Sequence, residues 1–528
     1  MAVQDLDSPP RSSYARTHDL ALWVTSTLFL SFFIGLSLRA ATRNPLYVDE
    51  IYALWVARLP SVSQIVSAIM HGSEFSPPTY HLLLHFYSLL AGDSSLALRF
   101  PSLLAELLVA FFSFSLFRRY LGMRSAAFAC CLILEAISPF GLQIRPYALV
   151  TACFAAVLLL WDGLESHYSR LSITLIGILL AFAGSLHFYA ILFVPCVALI
   201  ELFRLQSTRQ FRWSLWLSLA ASGASIFIWL PLIRAITKLN AADSTGSAYG
   251  PSPTLDALVS MYSYLFRGLA NPHLLGNLGI NASIVLIALC FLPFGKFAEN
   301  RLGRFLRITS DVPSITVNRH AAFWAINIGV ILFPAIVFLF SYFVTKTFNL
   351  RYVIAGSIGA SAILTETLGG FPLFRPLVPL LLFVATCFTF LWGIPSMHLF
   401  DHSTTYGFFP GSYPVVAADG NEFFQLEEGA PPNFRARLVY LVVPPSVPVG
   451  DPTDEHEVIR WKVIDPKLPV EDATAFLANH PKFYVLDERT ADDTPARYLL
   501  SKGYIEPWKQ IGGAVIYRSR PSDASNRW

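Results

Sequence analysis

An adjacent pair of acids, Asp49 and Glu50, stands about ten residues past the first long apolar run of the chain. Behind them Ile51, Leu54, Trp55 and Leu59 fall on one face at helical spacing. A helix with that pattern lies flat at a membrane surface. The two acids then occupy its first turn, where the helix dipole favours carboxylates. One reading of the pair is therefore an N-terminal cap. The other is a general base at the rim of a membrane cavity, taking a proton from an acceptor hydroxyl or amine. Adjacent helical residues point about 100° apart, so only one of the two is expected to act as the base.

A second group follows at Phe75-Ser76-Pro77-Pro78-Thr79-Tyr80-His81. Proline suits the first turn of a helix, which makes Pro77 and Pro78 punctuation. Tyr80, His81 and His85 either line a cavity or form the polar edge of an interfacial helix. Arg99, Arg145 and Arg351 stand at the outward ends of apolar runs, the last two next to Tyr147 and Tyr352. Charge near membrane depth is costly and usually has a purpose, although a long side chain can reach back to the interface, and that suits Arg99. A guanidinium binds phosphate oxygens through two parallel hydrogen bonds. Arg145 and Arg351 would thus neutralise a phosphate leaving group at the membrane surface. Glu106, Glu135 and Glu366 lie within apolar runs as pairing candidates for these arginines. His187, alone between two runs, reads as structural.

The elements that must position these residues are membrane helices. Of 528 residues, 54% are hydrophobic and only 14% charged, against about 25% charge in soluble domains. Aromatic residues make up 14%, and the net charge is +3. This excludes a disulfide scaffold, a disordered chain and a typical soluble enzyme, and it makes nucleic acid an unlikely partner. Runs near the ~20 apolar residues needed to span a bilayer give about eleven spans: 20–38, 99–117, 125–141, 147–162, 171–186, 188–203, 213–235, 276–295, 321–344, 350–368 and 376–394. Counting the short runs 78–91 and 256–270 would raise the total to about thirteen. With residues 1–19 cytoplasmic, the inner segments hold about fifteen Lys and Arg and the outer ones about nine, as the positive-inside rule asks. The outer loop 39–98, the turn 142–147, His187, 236–275 and 345–351 then share the outer side. The six cysteines all lie in apolar runs without zinc-ligand spacing and read as small buried hydrophobes. No cleavable signal opens the chain, and the first apolar run serves as an anchor.

Residues 395–528 return to soluble composition. Strand-like runs at 414–418, 437–443, 482–486 and 513–517 alternate with helical stretches near 420–428, 470–479 and 495–503, which predicts a small extracytoplasmic α/β domain. No Gly-rich phosphate loop or nucleophile elbow is visible in it, and its expected role is binding or support.

Read together, the segments resemble the GT-C class of membrane glycosyltransferases. They are most similar to the protein O-mannosyltransferase and aminoarabinose-transferase group with its rhizobial lipopolysaccharide-transferase relatives. The resemblance rests on Asp49-Glu50, Ser76-Pro77-Pro78, Leu98-Arg99-Phe100-Pro101-Ser102, Arg118-Arg119-Tyr120-Leu121-Gly122, Ser138-Pro139, Arg145-Pro146-Tyr147-Ala148-Leu149 and Leu350-Arg351-Tyr352, over roughly 20–370. It implies a polyprenyl-phosphate sugar donor, a lipid, glycan or protein acceptor, inverting transfer on the outer face of the inner membrane, and a catalytic acid at Asp49 with Glu50 beside it. That family often has His or Lys before its Pro-Pro, where this chain has Ser76. No cofactor is expected, since arginines can supply the positive charge, and a divalent metal is compatible with the same chemistry. Two other classes stay open: a flippase or transporter of lipid-linked glycans, which should place charges at midplane in repeated halves, and a polymerase of lipid-linked repeat units.

Overall fold

The computed structural model describes residues 13–242, 252–267, 319–392, 406–444, 452–487, 494–511 and 514–520. Within them, ten of the eleven expected membrane runs are helical, and the run 276–295 lies outside the described residues. The helices are α1 Ser13–Arg43, α2 Val48–Ala57, α3 Val62–Met70, α4 Thr79–Ala91, α5 Ser95–Phe117, α6 Gly122–Gly141, α7 Tyr147–Ser166 and α8 Arg170–Leu186. A short 3-10 turn, Phe188–Leu192, leads into α9 Phe193–Thr208. After it come α10 Trp213–Ala224, α11 Leu230–Ala242, α12 Leu255–Arg267, α13 Arg319–Ile331, α14 Phe333–Phe340, α15 Gly356–Gly369 and α16 Phe374–Trp392. Seven helices among the described residues are long and apolar enough to cross a membrane: Leu20–Arg43, Ser95–Phe117, Gly122–Gly141, Tyr147–Ser166, Phe188–Thr208, Trp213–Leu239 and Arg319–Thr345. The chain is thus an α-helical polytopic membrane protein. Helix α4, a run that could have added a span, has 13 residues, and the 256–270 run continues outside the described residues. At about 1.5 Å per residue α4 reaches only ~20 Å, too short for a ~30 Å hydrocarbon core, so it adds no span.

Contacts divide the chain into two compact units, the first made of residues 1–43, 96–228 and 250–396. In this unit α1 packs on α16, α6 on α15, α7 on α8, α8 on α10, and α13 on both α9 and α15. Without a hydrophobic drive between helices in lipid, close approach through small residues supplies the packing energy. Gly359 of α15 is one such point, since a Cβ there would lie 2.8 Å from the Asn327 carbonyl oxygen of α13.

The second unit joins residues 44–95 and 229–249 to 397–528. Its sheet comprises β1 Val415–Ala417, β2 Leu438–Val442, β3 Val470–Asp472, β4 Tyr484–Asp487, β5 Ile505–Ile511 and β6 Ala514–Ser519. The strand order is β3-β2-β1-β4-β6-β5. The first four strands are parallel, and β6 and β5 run antiparallel. Helices α17 Gly420–Gly429, α18 Pro452–Ile464, α19 Ala473–Asn479 and α20 Thr494–Ser501 connect the strands, as expected of a small α/β domain. One face buries Val416, Val439, Leu441 and Val485 under Phe476 and Leu499. Helices α2 and α17 pack together, so the loop that carries the acids and the soluble tail form a single body.

Candidate functional site

Tyr47 caps α2 with an extended backbone (φ −73°, ψ 151°). Its N–H donates to Glu50 Oε2 at 2.9 Å, and the Glu50 N–H returns a bond to the Tyr47 carbonyl at 2.8 Å. Glu50 is buried and serves the helix end, one half of a capping box. Asp49, one residue earlier, is half-buried and points elsewhere on the helix.

Three contacts fix α2. His85 Nδ1 of α4 lies 2.7 Å from the Ala57 carbonyl at the end of α2. Glu428 of α17 accepts from Trp55 Nε1 at 2.8 Å and from Arg58 Nη1 at 2.8 Å. Phe424 packs edge-on against Tyr52 and Trp55 with ring centroids 4.9 and 5.3 Å away, and Trp461 of α18 meets Trp55 at 5.2 Å. Tyr80 and His81, in the first turn of α4, are both buried, with their rings 5.9 Å apart. His85 thus fastens α4 to α2.

In the membrane unit, Arg145 ends the turn after α6, and Tyr147 begins α7. The Arg145 guanidinium stands 6.0 Å from the Tyr147 ring, which meets His187 at 5.7 Å. His187 in turn lies 4.9 Å from Tyr352, and Arg351 stands 5.6 Å from that same ring. Tyr189 stacks on Tyr352 at 4.6 Å, while its hydroxyl pairs with Thr345 Oγ1 at 2.5 Å. Tyr147, His187, Arg351 and Tyr352 line one small cavity with Thr151. Burial, and then the nearby Arg145 charge, push the His187 pKa down to about 3. The imidazole is therefore neutral at physiological pH, and the guanidiniums carry the charge of the cluster. Guanidiniums in such a cluster can bind an anion through forked donors.

The two groups of expected site residues thus fall in different units. Asp49, Glu50, Tyr80 and His81 belong to the second, and Arg145, Tyr147, Arg351 and Tyr352 to the first. His187, which reads as structural in the sequence, stands at the centre of the arginine cluster; its one sequence signal is being a lone His between two apolar runs. Tyr189 gave no signal beyond its place two residues on. Arg99 is buried and donates from Nη1 to the Ala41 carbonyl, near the end of α1, at 3.3 Å. Among the described residues, Glu106 and Glu135 form no ion pair with an arginine, and Glu135 instead accepts from Thr389 Oγ1 at 2.5 Å. Nor does any group of three or more His, Cys, Asp and Glu side chains among them come together to hold a metal ion.

No protein-family model matches the chain, and a search of curated proteins finds no match. Among solved structures, it is similar to ArnT from Cupriavidus metallidurans. The apo form is 14% identical over 94% of this chain and 97% of that one, with a TM-score of 0.41. The form bound to undecaprenyl phosphate is 14% identical over 95% and 98%, again at 0.41. The oligosaccharyltransferase of Archaeoglobus fulgidus is 12% identical over 88% and 67% (TM-score 0.40). The arabinosyltransferase EmbB of Mycobacterium smegmatis is 17% identical over 65% and 30% (TM-score 0.36).

Proposed function

We propose that this chain is an integral-membrane glycosyltransferase of GT-C type, moving a sugar from a polyprenyl-phosphate donor to an acceptor on the outer face of the inner membrane. The observation that carries the reading is the convergence of Arg145 and Arg351, from remote turns of the membrane unit, on the neutral His187. A polyprenyl tail lies along the apolar helices, and its phosphate meets the two guanidiniums. Asp49 takes the proton of the acceptor hydroxyl or amine as that atom attacks the anomeric carbon from the face opposite the phosphate. The new bond forms at that carbon while its bond to the phosphate oxygen breaks, which inverts the configuration. The leaving phosphate departs as an anion stabilised by the arginines and needs no proton. A single carboxylate suffices, unlike the two that glycoside hydrolysis uses.

Residues 44–95, which carry Asp49, share a compact body with 229–249 and with the tail. This supports the assignment of loop 39–98, loop 236–275 and the tail to one side of the membrane. The test is incubation of the purified chain with a panel of polyprenyl-phosphate sugars and candidate acceptors. Release of polyprenyl phosphate with one donor class is the expected result, and inertness toward every donor, with the folded protein verified, overturns the reading.

A further inference from the structure

Helix α7 runs about 30 Å from the Arg145 cluster to a second cavity at its far end. This cavity, of about 1170 Å3, is walled by the turn after α5, the last turn of α7 and the loop to α8, the end of α9, the start of α10 and the first turn of α13. Four arginines, Arg119, Arg204, Arg212 and Arg319, line it against two carboxylates, Asp162 and Glu165. Glu165 Oε1 accepts from Arg204 Nε at 3.0 Å and Arg212 Nη2 at 2.7 Å. Behind them Glu201 accepts from Arg204 Nη1 at 2.9 Å and from Trp161 Nε1 at 3.0 Å. Arg119 and Tyr120 both bond Asp162. Among the described residues, positive charge is in excess even with Glu201 counted. Arg204 is buried and Arg212 partly so, with side chains 4% and 9% exposed. Among the described residues, Arg212 Nη1 makes no hydrogen bond and stands 3.6 Å from Glu201 Oε2. Arg319, which is exposed, forms no ion pair there among the described residues.

Unbalanced positive charge in a partly buried wall calls for an anion. The surroundings say which kind. Tyr168, Phe211 and Trp213, respectively 52%, 43% and 72% exposed, stand at the rim. Aromatic residues of that sort mark the headgroup level of a bilayer. Beyond the rim, Leu171 and Leu175 of α8 and Leu217 of α10 are exposed on two helices packed against one another. A soluble anion has no use for such a surface, whereas acyl chains do.

We propose that this cavity binds the phosphodiester headgroup of an anionic glycerophospholipid, with its acyl chains along α8 and α10. Basic pockets between membrane helices on the cytoplasmic side are suited to such headgroups, and the arginine bias of the chain assigns this end to that side. The site lies at the opposite end of α7 from the arginine cluster and does not depend on the proposed transfer.

Native mass spectrometry of the full chain tests it. Phosphatidylglycerol and phosphatidylcholine with identical acyl chains are supplied separately, and inorganic phosphate in a third arm. Saturable retention of one phosphatidylglycerol, preferred over phosphatidylcholine, is expected. Arg319→Gln should weaken it about fivefold, the equivalent of one surface guanidinium. Trp213→Ala at the rim should weaken it as well, and Arg375→Gln, an exposed arginine outside the cavity, should leave it unchanged. Equal retention of the two lipids, or no response to either cavity variant, overturns the proposal. So does displacement of the lipid by millimolar inorganic phosphate, which would identify the ligand as a free anion.

Discussion

Asp49 and Glu50 are neighbours in sequence with different surroundings. Glu50 closes the first turn of α2 through the Tyr47 N–H, so its removal acts on the helix. Glu50→Ala should cost about 1 kcal/mol of stability, as loss of a cap does, read by thermal unfolding. In the arginine cluster of the membrane unit, Arg351→Gln should weaken donor binding about 10- to 100-fold, the loss of a charge-assisted hydrogen bond of ~1.5–3 kcal/mol. Arg351→Lys should recover only part of that, because it keeps the charge but not the fork. His187 imposes a pH dependence with a definite sign. Its folded pKa of about 3 lies below the ordinary 6.5, so the unfolded chain takes the proton first. Stability is fully present above pH 6.5 and declines as the pH falls toward 3. Acid unfolding of the membrane unit should flatten in His187→Asn. The acids and arginines were legible because charge stands out against apolar sequence. The histidine was not, since its role depends on two turns that only the fold brings beside it.

At the scale of elements, α2 is held by the tail. Glu428 takes both Trp55 and Arg58, and Phe424 and Trp461 pack around Trp55. The tail thus fixes the helix that carries the proposed base. Glu428→Ala should remove about 1–3 kcal/mol from that contact and reduce transfer without altering donor binding. Beside it, burial foremost, with Glu428 and Asp465, pushes the Glu427 carboxyl up to about 7 against the partial counter-effect of Arg435. Its folded pKa exceeds its unfolded 4.5, so its contribution is full below pH 4.5 and is lost as the pH rises through about 7. Unfolding of the second unit should therefore occur at lower temperature at pH 8 than at pH 5, and Glu427→Gln should narrow that difference. The four expected strands of the tail are β1, β2, β4 and β6. Helix α18 escaped because Asp, Glu, Lys and Arg interrupt its apolar period. Strand β5 escaped because Pro507 broke the run; as an edge strand it tolerates the proline, and its register shifts between Pro507 and Lys509.

For the whole molecule, hydropathy made the membrane helices visible one at a time, because each must satisfy its own backbone within lipid. It said nothing of which loops share a body. The grouping of 44–95, 229–249 and the tail rests on tertiary packing. The account requires position 349, beside Arg351, and position 421 in the tail to face the same compartment. Single cysteines there should both react with an impermeant maleimide from one side of sealed vesicles, and reaction from opposite sides would break the account. The native cysteines among the described residues are buried or half-buried and should give little background.

The central claim is that the Asp49 carboxylate removes the acceptor proton. Sugar transfer by purified Asp49→Asn, compared with Glu50→Gln and the parent chain at equal donor occupancy, addresses it most directly. The account predicts that the Asp49 variant binds the polyprenyl-phosphate sugar normally and transfers none, while the Glu50 variant remains active. Undiminished transfer by Asp49→Asn would contradict it.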